Sequence, residues 1–104
     1  MGWVNADPLA QLLDSVRTAV LETPGATDRA ARERALSRLD TDETYSPYLA
    51  KVRDGSYRVT DTDIKHMAEG GLSEDAILEL TLAAAIGEGT RQLMAGLRAM
   101  SPED

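Results

Sequence analysis

Few side chains in this 104-residue sequence have types that could do chemistry. His66 is its only histidine, and an unperturbed pKa of about 6.5 suits a general base near neutral pH. Asp61 and Asp63 lie just upstream and could form an acid pair or hold a divalent cation. They also stand where a helix begins, and there carboxylates accept backbone N–H bonds and meet the positive end of the dipole. Tyr45, Tyr48 and Tyr57 could each donate to a developing oxyanion, or supply packing and one hydrogen bond. Glu79 and Glu88 would have raised pKa values beside a cavity and ordinary ones on a solvated strip. Ser15 and Ser56 have no His–acid set at any recognisable spacing. Asp40, Asp42 and Glu43 resemble the opening of a calcium loop, but the turn glycine and terminal glutamate are missing, which favours a solvated linker. The candidates are therefore His66, Asp63 and Tyr57 for catalysis, and Tyr48, Ser56 and Glu79 for ligand binding. No metal or cofactor is expected, because one histidine without cysteine makes a poor zinc ligand set.

Composition narrows the function classes. The net charge of −7 opposes binding to nucleic-acid phosphates and to anionic membranes. The absence of cysteine excludes disulfides, thiolate metal sites and thiol nucleophiles, and fits a cytoplasmic protein. No basic segment followed by an apolar run opens the sequence. The longest uncharged apolar run, Leu80 to Ile86, falls well short of the ~20 residues of a membrane span. With one Trp, three Tyr and no Phe, the core must be built from Leu, Val, Ile, Met and Ala, which suits helix packing better than a sheet.

The elements that must position those side chains are all helical. Asp7-Pro8 opens a helix whose Leu9, Leu12, Leu13, Val16 and Val20 form one face, and Thr23-Pro24-Gly25 stops it. Thr27 or Asp28 caps a second helix to about Leu39, with a thin apolar face of Ala31, Ala35, Leu36 and Leu39. Its many arginines predict an outside position. Ser46-Pro47 opens a short third helix with Tyr48, Leu49 and Val52 inward. Thr60-x-x-Asp63 is a capping-box pattern for a fourth, with Ile64 and Met67 inward and Gly70 or Gly71 as its stop.

Ser73 caps the last and longest helix, running to about Met100. Leu72 and Ile77 sit at hydrophobic-staple positions, and Glu74 and Asp75 face the dipole. Only Glu79 and Thr81 interrupt its apolar character between Ala76 and Gly87, so other helices are expected to enclose it. Gly87, Gly89 and Gly96 predict close backbone approaches or a kink, and the small pairs Ala83/Gly87 and Ala85/Gly89 could serve a subunit interface or packing within one subunit. The expectation is one all-α domain over 1–104, about five helices ending in a long Ala-rich one, with the 61–69 and 73–100 helices as an antiparallel pair.

Gly71-Leu-Ser-Glu-Asp-Ala-Ile-Leu-Glu-Leu-Thr-Leu-Ala-Ala-Ala-Ile86 resembles the segment closing the active-site half of alkylhydroperoxidase D-like proteins, in the carboxymuconolactone decarboxylase superfamily. Tyr57-Arg-Val-Thr-Asp-Thr-Asp-Ile64 resembles cysteine-free relatives in that group, and the likeness is strongest over residues 48 to 97. Peroxidases of the group carry Cys-x-x-Cys, a His four residues on and a Gly eight after that. The resemblance sets those positions at Ser56, Val59 and Asp63, ahead of Gly71, so no thiol chemistry survives. The decarboxylase branch works through His and an acid; here His66 stands three residues from the expected place.

The resemblance implies a redox-silent relative acting as an oligomeric small-molecule-binding or accessory protein, assembled as a trimer or hexamer. The alternative is a small acid–base enzyme of decarboxylase or isomerase type using His66 with Asp63 and Tyr57. A weaker third reading is a module that binds a partner helix through the apolar seam of the last helix.

Overall fold

The structure is a computed structural model that describes residues 8–22, 24–55 and 58–100. Five helices and no strand occur among these residues: α1 (Pro8–Glu22), α2 (Arg29–Leu36), α3 (Ser46–Gly55), α4 (Asp61–Glu69) and α5 (Glu74–Ala99). The all-α expectation holds, ending in a 26-residue helix. Asp7, Thr23, Ser56, Tyr57 and the Ser101-Pro102 stop lie outside the described residues.

Local chemistry sets the helix ends. Asp28, Thr60 and Ser73 each accept a bond from the N3 backbone N–H, satisfying donors that a first turn leaves open. The Thr60–Asp63 capping box is complete, with the Asp63 carboxylate returning to the Thr60 N–H at 2.8 Å. Gly71, at φ 100°, stops α4, and Leu72 N–H donates to the Met67 carbonyl at 3.1 Å. α2 ends three residues earlier than its sequence suggests. There Arg38 takes the left-handed position usual for glycine (φ 62°), while Leu39 N–H donates to the Arg34 carbonyl at 2.8 Å. A non-glycine residue there costs on the order of 1 kcal/mol. The turn carries Leu39 out to 65% exposure, off the face it was expected to share.

The core joins Leu21 of α1, Ala35 and Leu36 of α2, Tyr45, Tyr48 and Leu49 around α3, Met67 of α4, and Ile77, Leu80, Ala83 and Ala84 of α5. The most extensive helix contact is α2 on α5, followed by α3 and α1 on α5. This corrects two expectations. α2 is not peripheral, and the broad antiparallel partner of α5 is not α4, whose Ile64 is exposed while Met67 anchors it.

α2 lies deep because its arginine has somewhere to go. Arg32, 5% exposed, donates to the Val20 and Leu21 carbonyls at 2.9 and 3.0 Å and to the Thr27 carbonyl. The last carbonyls of α1 lack helical partners, so the guanidinium caps that helix with its charge at the negative end. A second arginine, Arg53 of α3, is 6% exposed at its side chain and pairs with Asp40, which is 1% exposed. Arg53 also donates to the Ala35 carbonyl at 2.9 Å, while its Nε has no partner among the described residues. Asp40 is thus a buried ion-pair member and not part of a solvated linker; Asp42 and Glu43 are exposed.

Gly87 gives α2 its close seat on α5. A Cβ there would collide with the Leu36 carbonyl oxygen and stand 2.9 Å from its carbon. Gly89 and Gly96 have nothing within 4 Å of a built Cβ, contrary to the expected close approaches. Nor is α5 enclosed along its length: Leu78 and Leu82 are 55% and 48% exposed, and every residue from Gln92 to Met100 is exposed. The molecule measures 54 × 29 × 19 Å, with a radius of gyration of 15.8 Å against roughly 13 Å for a compact domain of this size.

Candidate functional site

His66, on α4, is exposed, and its side chain makes no hydrogen bond or ion pair with the described residues. Asp63 serves the α4 cap and accepts from Lys51 Nζ at 2.9 Å. That bond, with the Thr60 N–H, holds its carboxyl below the ordinary value. Tyr48 is buried and its hydroxyl lies 2.7 Å from Thr81 Oγ1. Thr81 gives its own proton to the Ile77 carbonyl at 2.6 Å, so Tyr48 is the donor in the pair. Tyr45 is buried as well; burial, then the nearby Asp42 charge, pushes its phenol above the ordinary value. Ser15 is exposed on α1, and Ser56 and Tyr57 lie outside the described residues. Among the described residues no group of three or more His, Cys, Asp or Glu side chains converges as a metal site. The acid–base reading needs His66 to meet an acid or a tyrosine in a pocket, and no such constellation is assembled among the described residues.

Glu79 turns out to be a clasp. From α5 it accepts from Ala26 N at 2.7 Å, Thr27 N at 2.8 Å and Thr27 Oγ1 at 2.7 Å, with Arg32 at 3.8 Å. Burial raises its pKa, but the bonds from Ala26 and Thr27 and the Arg32 charge outweigh burial and leave it lowered. Sequence spacing placed this residue on a solvated strip or beside a ligand. Its true partners lie 52 and 53 residues upstream. Glu88 is lowered too, chiefly by its bond from Arg91, against partial burial.

These carboxylates set a pH dependence. Each has a folded pKa below its unfolded value, so each contributes its full stability above the ordinary carboxylate range. The contribution is lost as pH falls through the folded values. Thermal unfolding followed by circular dichroism is expected to show Tm falling below the ordinary glutamate value of 4.5. A Glu79→Gln protein, already lacking one such group, should show a shallower fall. An equal slope would contradict the assignment.

Two surface depressions among the described residues bear on ligand binding. The smaller, about 270 Å³, lies between Ala19 and Val20 of α1 and Leu82 of α5, and its charged residues Arg32 and Glu79 are already committed to each other and to backbone. The larger is a groove of about 510 Å³ where α1, the end of α2 and α5 meet over Gly87. That volume lies within the range of small-molecule sites. Its apolar walls are Leu13 of α1, Leu36 of α2, and Ile86 and Met94 of α5. Asp14, Ser37 and Thr90 give it polar edges.

Two cations border the groove. Arg91 is held by the Glu88 carboxylate at 3.0 Å and the Leu36 carbonyl at 3.2 Å, so its guanidinium is fixed in place. Glu88 also meets Arg38 at 3.5 Å. Arg17 is exposed on α1 and has no ion-pair or hydrogen-bond partner among the described residues. The arrangement can receive an apolar body between the walls and an anionic head near the arginines.

Sequence reasoning missed Arg17 and Arg91. The available signal is helical spacing: Leu13 and Arg17 share one face of α1, as Ile86, Thr90 and Met94 share one face of α5. What spacing does not supply is that these two faces oppose each other. A scan against protein-family models, a search of curated proteins and a search of solved structures each found no match to this chain.

Proposed function

We propose that this protein is a redox-silent, self-associating relative of the alkylhydroperoxidase D-like group that binds a small amphipathic anion as a binding or accessory protein. The family part of this reading rests on the sequence likeness over residues 48 to 97. Redox silence rests on the absence of sulfur at Ser56 and Val59 and of cysteine anywhere in the sequence. No described helix is long and apolar enough to cross a membrane. The likeness carries a trimer or hexamer with it as part of the proposal.

The observation that carries the ligand class is the groove over Gly87, apolar in its walls and bordered by Arg17 and Arg91. In a chain of net charge −7, an arginine with no partner among the described residues, beside an apolar groove, is the natural contact for a carboxylate head. A charge-assisted hydrogen bond contributes about 1.5–3 kcal/mol, so its loss weakens binding tenfold or more.

The test is titration with decanoate and with decanol, followed by backbone amide shifts. Saturable shifts at Gly87 and Thr90 are expected for decanoate, tenfold weaker in Arg17→Met and weak for decanol in both proteins. Equal affinity for acid and alcohol, or shifts scattered away from the groove, would refute the anion reading. Thiol-dependent turnover of an organic peroxide would refute redox silence.

A further inference from the structure

α5 carries two apolar faces. One, with Ala76, Leu80, Ala83 and Gly87, is buried in the core. The other lies roughly 180° around the helix at about 100° per residue, and carries Leu78, Leu82, Ala85, Gly89, Leu93, Gly96 and Met100. All seven are exposed, Met100 at 77%. No charged residue interrupts this strip between Leu78 and Met100, although Glu88, Arg91 and Arg98 occupy other sides of the helix.

The strip has a period. Leu78, Gly89 and Met100 are spaced by eleven residues, as are Leu82 and Leu93, and Ala85 and Gly96. Eleven residues in three turns is about 3.67 per turn, near the 3.6 of a straight helix, so the strip stays on one side for its full length. Gly89 and Gly96 each lower helix propensity by about 1 kcal/mol relative to alanine. Among the described residues nothing lies within 4 Å of where a Cβ would stand at either of them. Two helix-weakening residues therefore sit on an exposed apolar face with no described neighbour that requires them.

We propose that a second copy of this chain covers the strip, its α5 antiparallel to the first about a two-fold axis beside Gly89. In that register Gly89 meets the partner's Gly89, Ala85 meets the partner's Leu93, Leu82 meets the partner's Gly96, and Leu78 meets the partner's Met100. Away from the axis, each of the inner leucines faces a small residue, so knobs enter gaps and the axes approach to about 8 Å. Parallel pairing sets Leu82 against Leu82 and Gly96 against Gly96, leaving bumps and voids along the same line. A two-fold contact is self-complementary, and antiparallel helix dipoles also favour it.

Area sets the strength. The strip is roughly 33 Å long and about 10 Å wide, so each protomer presents on the order of 330 Å² in projection. That is within the size of functional apolar patches, and two such faces fall at the low end of specific interfaces. A contact of that size belongs with weak, reversible associations. This two-fold contact makes a dimer where the family likeness carries a trimer or hexamer; it rests on the residues of α5 alone and stands or falls separately from both the likeness and the groove.

The cysteine-free sequence makes the test direct. Three single variants, Gly89→Cys, Leu78→Cys and Met100→Cys, are oxidised mildly at about 100 µM, a concentration that favours a weak pair. Gly89→Cys is expected to give mainly disulfide-linked dimer. Leu78→Cys alone is expected to give little, because two copies of residue 78 are roughly 33 Å apart in the antiparallel pair. An equimolar mixture of Leu78→Cys and Met100→Cys is expected to cross-link as a heterodimer.

Sedimentation of the unmodified chain should show a monomer–dimer equilibrium, weakened at least tenfold by Gly89→Leu. Unchanged helicity and Tm in that variant, measured below 1 µM, would separate lost pairing from lost folding. Cross-linking of Leu78→Cys as efficient as that of Gly89→Cys would overturn the antiparallel register. A chain that sediments as a monomer throughout, or that binds neutral lipid vesicles through the strip while staying monomeric, would overturn the proposal altogether.

Discussion

Gly87→Ala is expected to destabilise the protein by about 3 kcal/mol or more, a large part of the 5–15 kcal/mol that holds a domain together. Alanine is the better helix former by about 1 kcal/mol, so propensity alone predicts the opposite sign. Space decides the outcome. The added methyl would collide with the Leu36 carbonyl oxygen and lie 3.1 Å from the Leu36 Cα. Both are backbone atoms, which cannot rotate away as a side chain would. α2 must lift from α5 at its widest contact, and the bond from Arg91 to the Leu36 carbonyl lifts with it. Gly96→Ala, with nothing within 4 Å, is the control and should gain up to about 1 kcal/mol. Urea denaturation of the two variants reads both signs. A Gly87→Ala protein as stable as its parent would show that α2 does not seat on α5 in this way.

Asp40→Ala is expected to cost about 3–5 kcal/mol. Arg53 would keep its bond to the Ala35 carbonyl and lose its one carboxylate partner among the described residues, with 6% of its side chain open to water. Its Nε has no acceptor among the described residues, so the charge is already incompletely satisfied there. Ser46 Oγ would lose an acceptor at 2.6 Å as well. The double variant Asp40→Ala/Arg53→Met should be less damaged than Asp40→Ala, because the desolvated charge is removed along with its partner. A double-mutant cycle in urea should return a coupling of 2 kcal/mol or more. Additive effects would mean that water or another anion reaches Arg53.

Much of the fold was legible because it is written locally. The Asp28, Thr60 and Ser73 caps, the Gly71 stop and the five helical segments each depend on residues within one or two turns. What escaped depends on partners far along the sequence. Arg32 looks like a surface residue until the carbonyls of Val20 and Leu21 are brought to it. Glu79 looks like a solvated acid until the backbone at Ala26 and Thr27 folds over it. Asp40 looks like one of several linker acids until Arg53 arrives. The groove was invisible for the same reason, since Arg17 and Arg91 belong to helices whose mutual approach no spacing rule supplies. The apolar run of α5 signals burial without saying how far round the helix it extends: Ala76, Leu80, Ala83 and Gly87 are covered, while Leu78 and Leu82 are not, and only four other helices are described to cover them.

The Glu79 clasp bears on the order in which the protein can assemble as it is made. The turn between the first two helices is fastened by a side chain on the fifth, and those first two helices also lie against it. During synthesis the early segments emerge with only each other to pack against. Each is short for a helix that must stand alone in water. The nascent polypeptide therefore stays open, and exposed to chaperones and proteases, until residues near 79 to 87 have left the ribosome. Closure then follows in one late step around the newly delivered helix.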